Sequence, residues 1–130
     1  MSSSGAIPAN PVSTNSEPSV FSRIIAREIP ATIVAETDRV IAFKDVAPKA
    51  PVHVIVTPKT EQYRDVVELA AGDPALLAEL VAVATDVAAV EAGGQFRLIF
   101  NTGANAGQTV FHVHAHVLAG RLEEGSLGSE

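Results

Sequence analysis

The chain has 130 residues and a mass of 13.5 kDa, the amount of polypeptide found in one domain, which argues against a two-domain protein. A composition of 47% hydrophobic and 18% charged residues excludes disorder for the chain as a whole. The net charge of −6 argues against nucleic acid and anionic membrane as partners. It leaves room for a small phosphate-bearing ligand, because backbone N–H groups can hold phosphate without a basic surface. The absence of cysteine excludes disulfides, thiolate catalysis and Cys-ligated zinc, and leaves the redox compartment undetermined.

No targeting or membrane segment is legible. The N-terminus lacks a basic region followed by an apolar run, and Pro8, Pro11 and Pro18 interrupt it. The longest apolar stretch, residues 75–92, carries Glu79, Asp86 and Glu91, which rules out an ordinary transmembrane helix. The expectation is a soluble, cytoplasmic protein. Residues 1–18, rich in serine and proline, read as a disordered N-terminal tail, with a folded domain over 19–122 and a C-terminal tail over 123–130.

In chain order, Val20, Phe21, Ile24 and Ile25 lie at helical spacing, and Ile29-Pro30 ends that short helix. Residues 32–35 and 40–43 read as strands joined by the turn 36–39, a hairpin. A proline-containing loop over 45–51 precedes a third strand, 52–57, stopped by Pro58. Residues 63–69 predict one or two helical turns. The clearest helix starts at Asp73-Pro74, an N-cap followed by a proline that has no N–H to leave unpaired. Leu76, Leu77, Leu80, Val81, Ala84, Val87 and Ala88 give it one apolar stripe, and Gly93-Gly94 closes it. Strands over 96–100 and 110–118 complete an α+β domain: a five-stranded, mainly antiparallel sheet with one long and one short helix.

The chemistry concentrates near the C-terminal end. Of the four histidines, three occupy alternate positions in His112-Val113-His114-Ala115-His116. In a strand this spacing puts all three imidazoles on one face, about 6.6 Å apart along the chain, with Val113 and Ala115 facing the long helix. Packing alone seldom requires such a row. The preceding loop, Asn101-Thr102-Gly103-Ala104-Asn105-Ala106-Gly107-Gln108-Thr109, carries glycines that let consecutive N–H groups converge on an anion, a phosphate cradle beside three imidazoles. His53 lies within an otherwise apolar strand and needs a polar partner there, either in the core or in the site.

The stretch Gly107-Gln108-Thr109-Val110-Phe111-His112-Val113-His114-Ala115-His116-Val117-Leu118 resembles the His-x-His-x-His-x-x signature of the histidine triad superfamily. The likeness runs from Phe21 to Arg121. It includes Arg27-Glu28-Ile29-Pro30-Ala31, Ala42-Phe43-Lys44-Asp45, Pro48-Lys49-Ala50-Pro51-Val52-His53 and Phe100-Asn101-Thr102-Gly103. Ala119-Gly120-Arg121 is closer to the Gly-Gly-Arg of the histidine triad nucleotide-binding (Hint) branch than to the Pro-Arg of the dinucleoside hydrolases. The resemblance implies a homodimer with the long helix at its interface, purine nucleoside monophosphate binding, and hydrolysis of nucleoside phosphoramidates or acyl-adenylates without a cofactor or metal. It implies that His114 is the nucleophile, supported by His112, and that His116 meets the phosphate or the leaving group. His53 would complete the cluster. Asp45 would hold the ribose and Val46 would touch the nucleoside, while Asn101, Gly107, Gln108 and Thr109 would surround the phosphate.

Some positions depart from the family pattern. Ser19 and Ser22 stand where many bacterial relatives carry a Cys-x-x-Cys pair, and Glu61 replaces a histidine that often follows the Pro-Lys pair, so a structural zinc is not expected. The tail Gly125-Ser126-Leu127-Gly128 replaces a usual Trp-Pro-Pro, which bears on leaving-group preference. The competing readings are a dinucleoside polyphosphate hydrolase, a non-catalytic nucleotide-binding protein, and a three-histidine metal site. Three alternate histidines on a straight strand span too far to converge on one ion.

Overall fold

The computed structural model describes residues 18–124. The N-terminal tail read over 1–18 and the C-terminal tail read over 123–130 lie outside them except for Pro18, Glu123 and Glu124. Five strands, β1 (Ile33–Glu36), β2 (Val40–Lys44), β3 (Val52–Pro58), β4 (Arg97–Ile99) and β5 (Ala115–Ala119), form one sheet in the order β1-β2-β3-β5-β4. Every neighbouring pair is antiparallel. The fold is α+β, as expected.

Two short helices accompany the long one, where a single short helix was expected: α1 (Val20–Ile25) and α2 (Val66–Gly72) beside α3 (Pro74–Ala92). Each start has a local cause. Ser19 accepts the Ser22 N–H, Asp65 the Glu68 N–H and Asp73 the Leu76 N–H, so each helix begins at a side-chain cap. At α2 the Glu68 carboxylate also reaches back to the Arg64 N–H at 2.9 Å, a variant of the reciprocal capping box. That pattern shifts the helix C-terminal to the turns read over 63–69. The α3 stripe turns slightly from the expected one: Val83 is buried, Leu77 is half-buried and Val81 is exposed.

The sheet separates two cores. Val40, Ala42, Val54, Val56, Ala115 and Val117 pack against α3, together with Val113. The alternate residues Ile41, Phe43 and Ile55 pack on the other face against Phe21 and Ile24 of α1. Because side chains alternate along a strand, this second face is also the one that carries His53 and His116, with His116 opposite Ile55 and His53 opposite Leu118.

The main departure from the expected strands lies in the histidine segment. Strand β5 begins at Ala115, so His112 and His114 precede it and the expected strand over 110–118 is shorter. Continued in the same register, the next pairs would be Thr57 with His114 and Pro58 with Val113. Proline has no N–H to give, so the ladder cannot extend through it. The Thr57 hydroxyl supplies the missing bond by donating to the Val113 carbonyl at 2.7 Å, and the Val113 N–H turns to the Tyr63 carbonyl at 3.0 Å.

Candidate active site

The segment released from the ladder is fixed by its own side chains. His112 is 1% exposed and bonded at both ring nitrogens, Nε2 to the Pro58 carbonyl at 2.7 Å and Nδ1 to the Ser19 hydroxyl at 2.7 Å. His114 Nδ1 lies 2.9 Å from the His112 carbonyl. Phe21 of α1 presents its ring to both, with centroids 5.8 Å from His112 and 4.8 Å from His114. His116 stacks edge-on beside His114 at 5.1 Å, and its Nδ1 meets His53 Nε2 at 2.9 Å. His53 Nδ1 accepts the Lys49 N–H at 2.9 Å, and its Nε2 also lies 3.3 Å from Asp45 Oδ2. The structure therefore brings His53, His114, His116 and Asp45 together. His112 sits behind His114 in the core rather than beside it on an exposed face.

Burial lowers the proton affinity of all four imidazoles. It is the largest cause at His53, where Asp45 opposes and Lys49 reinforces it, and at His112, where the Pro58 carbonyl and Glu61 oppose it. At His114 burial again leads, opposed by the His112 carbonyl. His116 is pushed down to about 4, by burial first and then by the neighbouring His114 and His53. All four rings are thus neutral near pH 7, with one proton each, and the partners place it. A carbonyl only accepts, so His112 carries its proton on Nε2 and His114 on Nδ1. The Lys49 N–H occupies His53 Nδ1, so the His53 proton is on Nε2, directed at His116 Nδ1. His116 then holds its own on Nε2. One tautomer set satisfies every bond, and it leaves the lone pair of His114 on Nε2.

The loop expected to form the cradle begins after β4. A 3-10 turn over Ala104–Ala106 is closed by Gly107, whose φ of 98° excludes ordinary L-residues. Gln108 is placed differently from expectation. Its side chain is buried and fully used, Oε1 accepting the Gly103 N–H at 2.9 Å and Nε2 donating to the Arg64 and Val110 carbonyls at 2.6 and 3.0 Å. That side-chain amide braces the loop, and the neighbouring Thr109 is exposed. A cavity of about 440 Å³ opens beside Thr109 and His112, walled by Ser19, Val20, Glu61 and Phe111. Val46, next to Asp45, is 93% exposed and free to meet a ligand.

Asp45, His53 and His116 each bring one ligand atom within 4.8 Å of the others, a spacing compatible with a cation. The hydrogen bonds disfavour it. The Lys49 N–H takes the lone pair of His53 Nδ1, and the remaining Nε2 is protonated and cannot ligate.

Sequence reasoning missed the contacts that hold His112. Ser19 and Glu61 were noticed only as departures from a pattern, and Pro58 only as a strand stop. The Ser19–His112 bond joins residues 93 positions apart, and nothing local announces it.

Neutral imidazoles of His53, His114 and His116 meet on one face of an open antiparallel sheet, an arrangement that can supply a nucleophile with proton carriers beside it. Comparison with known proteins agrees in fold and family. The family model described as HIT domain matches residues 26–123. An uncharacterised HIT-like protein of Synechocystis is 52% identical over 109 residues, covering 81% of this chain and 92% of that one. The purine nucleoside phosphoramidase of Escherichia coli is 40% identical over 107 residues, 81% of this chain and 89% of the enzyme. The structure of a HIT family hydrolase from Clostridium thermocellum superposes with a TM-score of 0.76 at 44% identity, covering 82% and 94% of the two chains. The chain belongs to the HIT family. Among the described residues no helix is long and apolar enough to cross a membrane.

Proposed function

We propose that the protein is a purine nucleoside phosphoramidate or acyl-nucleotidylate hydrolase of the Hint branch, working through a nucleotidyl-histidine. The observation that carries this reading is the tautomer of His114: the His112 carbonyl holds its proton on Nδ1, leaving a nucleophilic Nε2 lone pair. The similarity to the Escherichia coli phosphoramidase supports it.

In the first step His114 Nε2 bonds to the α-phosphorus and the bond from phosphorus to the leaving group breaks. The His114 ring becomes cationic, and the His112 carbonyl stabilises that charge at Nδ1. An incoming phosphate anion raises the proton affinity of His116, and the imidazolium donates its Nε2 proton to the departing amine. His116 draws the proton that makes it an imidazolium from solvent, at Nδ1, and the His53 Nε2–H then has a second acceptor in Asp45 Oδ2 at 3.3 Å. In the second step water attacks phosphorus, gives its proton to His116, and the P–N bond to His114 breaks to release the nucleoside monophosphate. Asp45 and Val46 face the nucleoside, and Asn101, Gly107 and Thr109 surround the phosphate.

His114→Ala tests the reading. The variant should fold and bind adenosine monophosphate but lose several orders of magnitude in turnover, about 4 kcal/mol or more of barrier. Rapid quenching with labelled adenosine phosphoramidate should trap label on the wild-type protein only. Near-normal turnover by the folded variant would remove His114 from the role.

A further inference from the structure

We propose that Ser19, braced by Glu61, is a positioning residue for the His112–His114 unit. The inference rests on the reading of His114 as nucleophile and adds a role for residues outside the triad and its phosphate loop.

The His112 ring has both nitrogens committed to fixed partners. His112 is buried, its Nε2 donates to the Pro58 carbonyl, and its Nδ1 therefore needs a donor, which among the described residues the Ser19 hydroxyl provides, at 2.7 Å. Ser19 is itself committed in one direction. Its oxygen accepts the Ser22 N–H at 3.0 Å, and of the two acceptors its proton can reach, His112 Nδ1 at 2.7 Å is much nearer than Ser22 Oγ at 3.4 Å. Glu61 holds this arrangement from the other side: its Oε2 accepts the Ser19 N–H at 3.1 Å and the Ser22 hydroxyl. Two hydrogen bonds to one carboxylate thus fix the first turn of α1, and that turn presents the hydroxyl.

Pro58 ends β3 and Glu61 follows three residues later, so the carbonyl on one nitrogen of His112 and the anchor of the donor on the other are carried by one stretch of chain. The two grips on the ring move together. What they hold is more than a packed side chain. The backbone carbonyl of His112 keeps the His114 proton on Nδ1, and Phe21, two residues after Ser19, packs edge-on against both rings. A loosened His112 lets that carbonyl drift from His114 and lets the nucleophile change tautomer or tilt. Misplacement of a reacting group by about 1 Å costs on the order of a hundredfold in rate.

The test uses the full chain with Ser19→Ala, Ser19→Thr, Ser19→Asp and Glu61→Gln. Threonine keeps both the cap and the hydroxyl donor. Aspartate keeps the helix cap but, ionised, has no proton to give. With adenosine phosphoramidate as substrate, Ser19→Ala should lower kcat by roughly ten- to a hundredfold, with KM and adenosine monophosphate affinity within about threefold of wild type. Ser19→Thr should restore turnover, Ser19→Asp should not, and Glu61→Gln should fall between. Nitrogen-15 spectra of the imidazoles give a readout independent of turnover. Wild type should show His112 as the Nε2–H tautomer with a hydrogen-bonded Nδ1, and a slowly exchanging His114 Nδ1–H. Ser19→Ala should lose the first signature and speed that exchange by about tenfold or more, as local opening becomes easier.

Full turnover in folded Ser19→Ala, or in Ser19→Asp where only the cap survives, would overturn the proposal, as would unchanged exchange of the His114 proton. A wild-type protein that hydrolyses no phosphoramidate would instead remove the proposed function, and the exchange measurement would still decide the clamp.

Discussion

Thr57→Val probes the feature on which the site geometry depends, the side-chain bond that replaces a ladder bond at Pro58. Thr57 is fully buried, and its hydroxyl donates to the Val113 carbonyl at 2.7 Å. Valine has nearly the same shape, so no cavity forms and the substitution isolates the hydrogen bond. It leaves a buried carbonyl without a donor, which costs about 1–3 kcal/mol. Burying a methyl in place of a hydroxyl returns part of that, so the net loss should be about 1–2 kcal/mol. With a urea slope of roughly 1–3 kcal/mol/M for a domain of this size, the unfolding midpoint should fall by roughly 0.3–2 M with the slope unchanged. Circular dichroism in urea measures the loss, and the amide resonances of Val113 and His114 report whether the segment moves. A variant within about 0.5 kcal/mol of wild type, the ordinary range for inconsequential substitutions, with unmoved Val113 and His114 amides, would refute the account of why β5 starts at Ala115.

Other expectations follow from the same geometry. His116 binds its proton at about 4 in the folded chain against 6.5 ordinarily, so the unfolded state takes up more protons across that interval. Stability contributed by the neutral ring is complete above pH 6.5 and should be lost as pH falls toward 4; a His116→Gln variant with an unchanged stability slope in that window would contradict the assignment. Strong chelator should leave turnover unchanged because His53 offers a metal only a protonated nitrogen; loss of activity restored by zinc alone would overturn this. Dimerisation is proposed from the exposed Val81 and Val90 of α3 and the open edge at β4, and sedimentation should give about twice 13.5 kDa at micromolar concentration; a species of 13.5 kDa alone would reject it.

The elements were legible wherever their cause is local. Asp73-Pro74 and Gly93 mark both ends of α3, and short, nearly continuous apolar runs bounded by turn residues mark β2 and β3, which are covered on both faces. That His53 needs a polar partner followed from its place in an apolar strand, with core and site both open; that the partner is His116 depends on the register between β3 and β5. The role of Gln108 was not legible. A carboxamide in a glycine-containing loop suits a phosphate contact equally well, and only the position of the Arg64 carbonyl, 44 residues away, shows that the amide is already spent. The grip of Ser19 on His112 was hidden for the same reason, since hydrogen bonds across the fold leave no periodicity.

Pro58 shows how a small local constraint acts on the whole site. On a regular strand, His112 and His114 would join His116 on one face, and the backbone groups of the segment would be spent on the ladder. By ending the ladder, proline frees the His112 carbonyl to face His114 Nδ1 and gives its own carbonyl to His112 Nε2. The same interruption sinks His112 into the core, where burial keeps it neutral and leaves it able to accept from Ser19. The alternate spacing of the three histidines therefore does not work through the alternation of a strand. A break between the second and third members sets the first in the core, places the proton of the second on Nδ1, as the proposed nucleophile requires, and leaves only the third on the sheet beside His53.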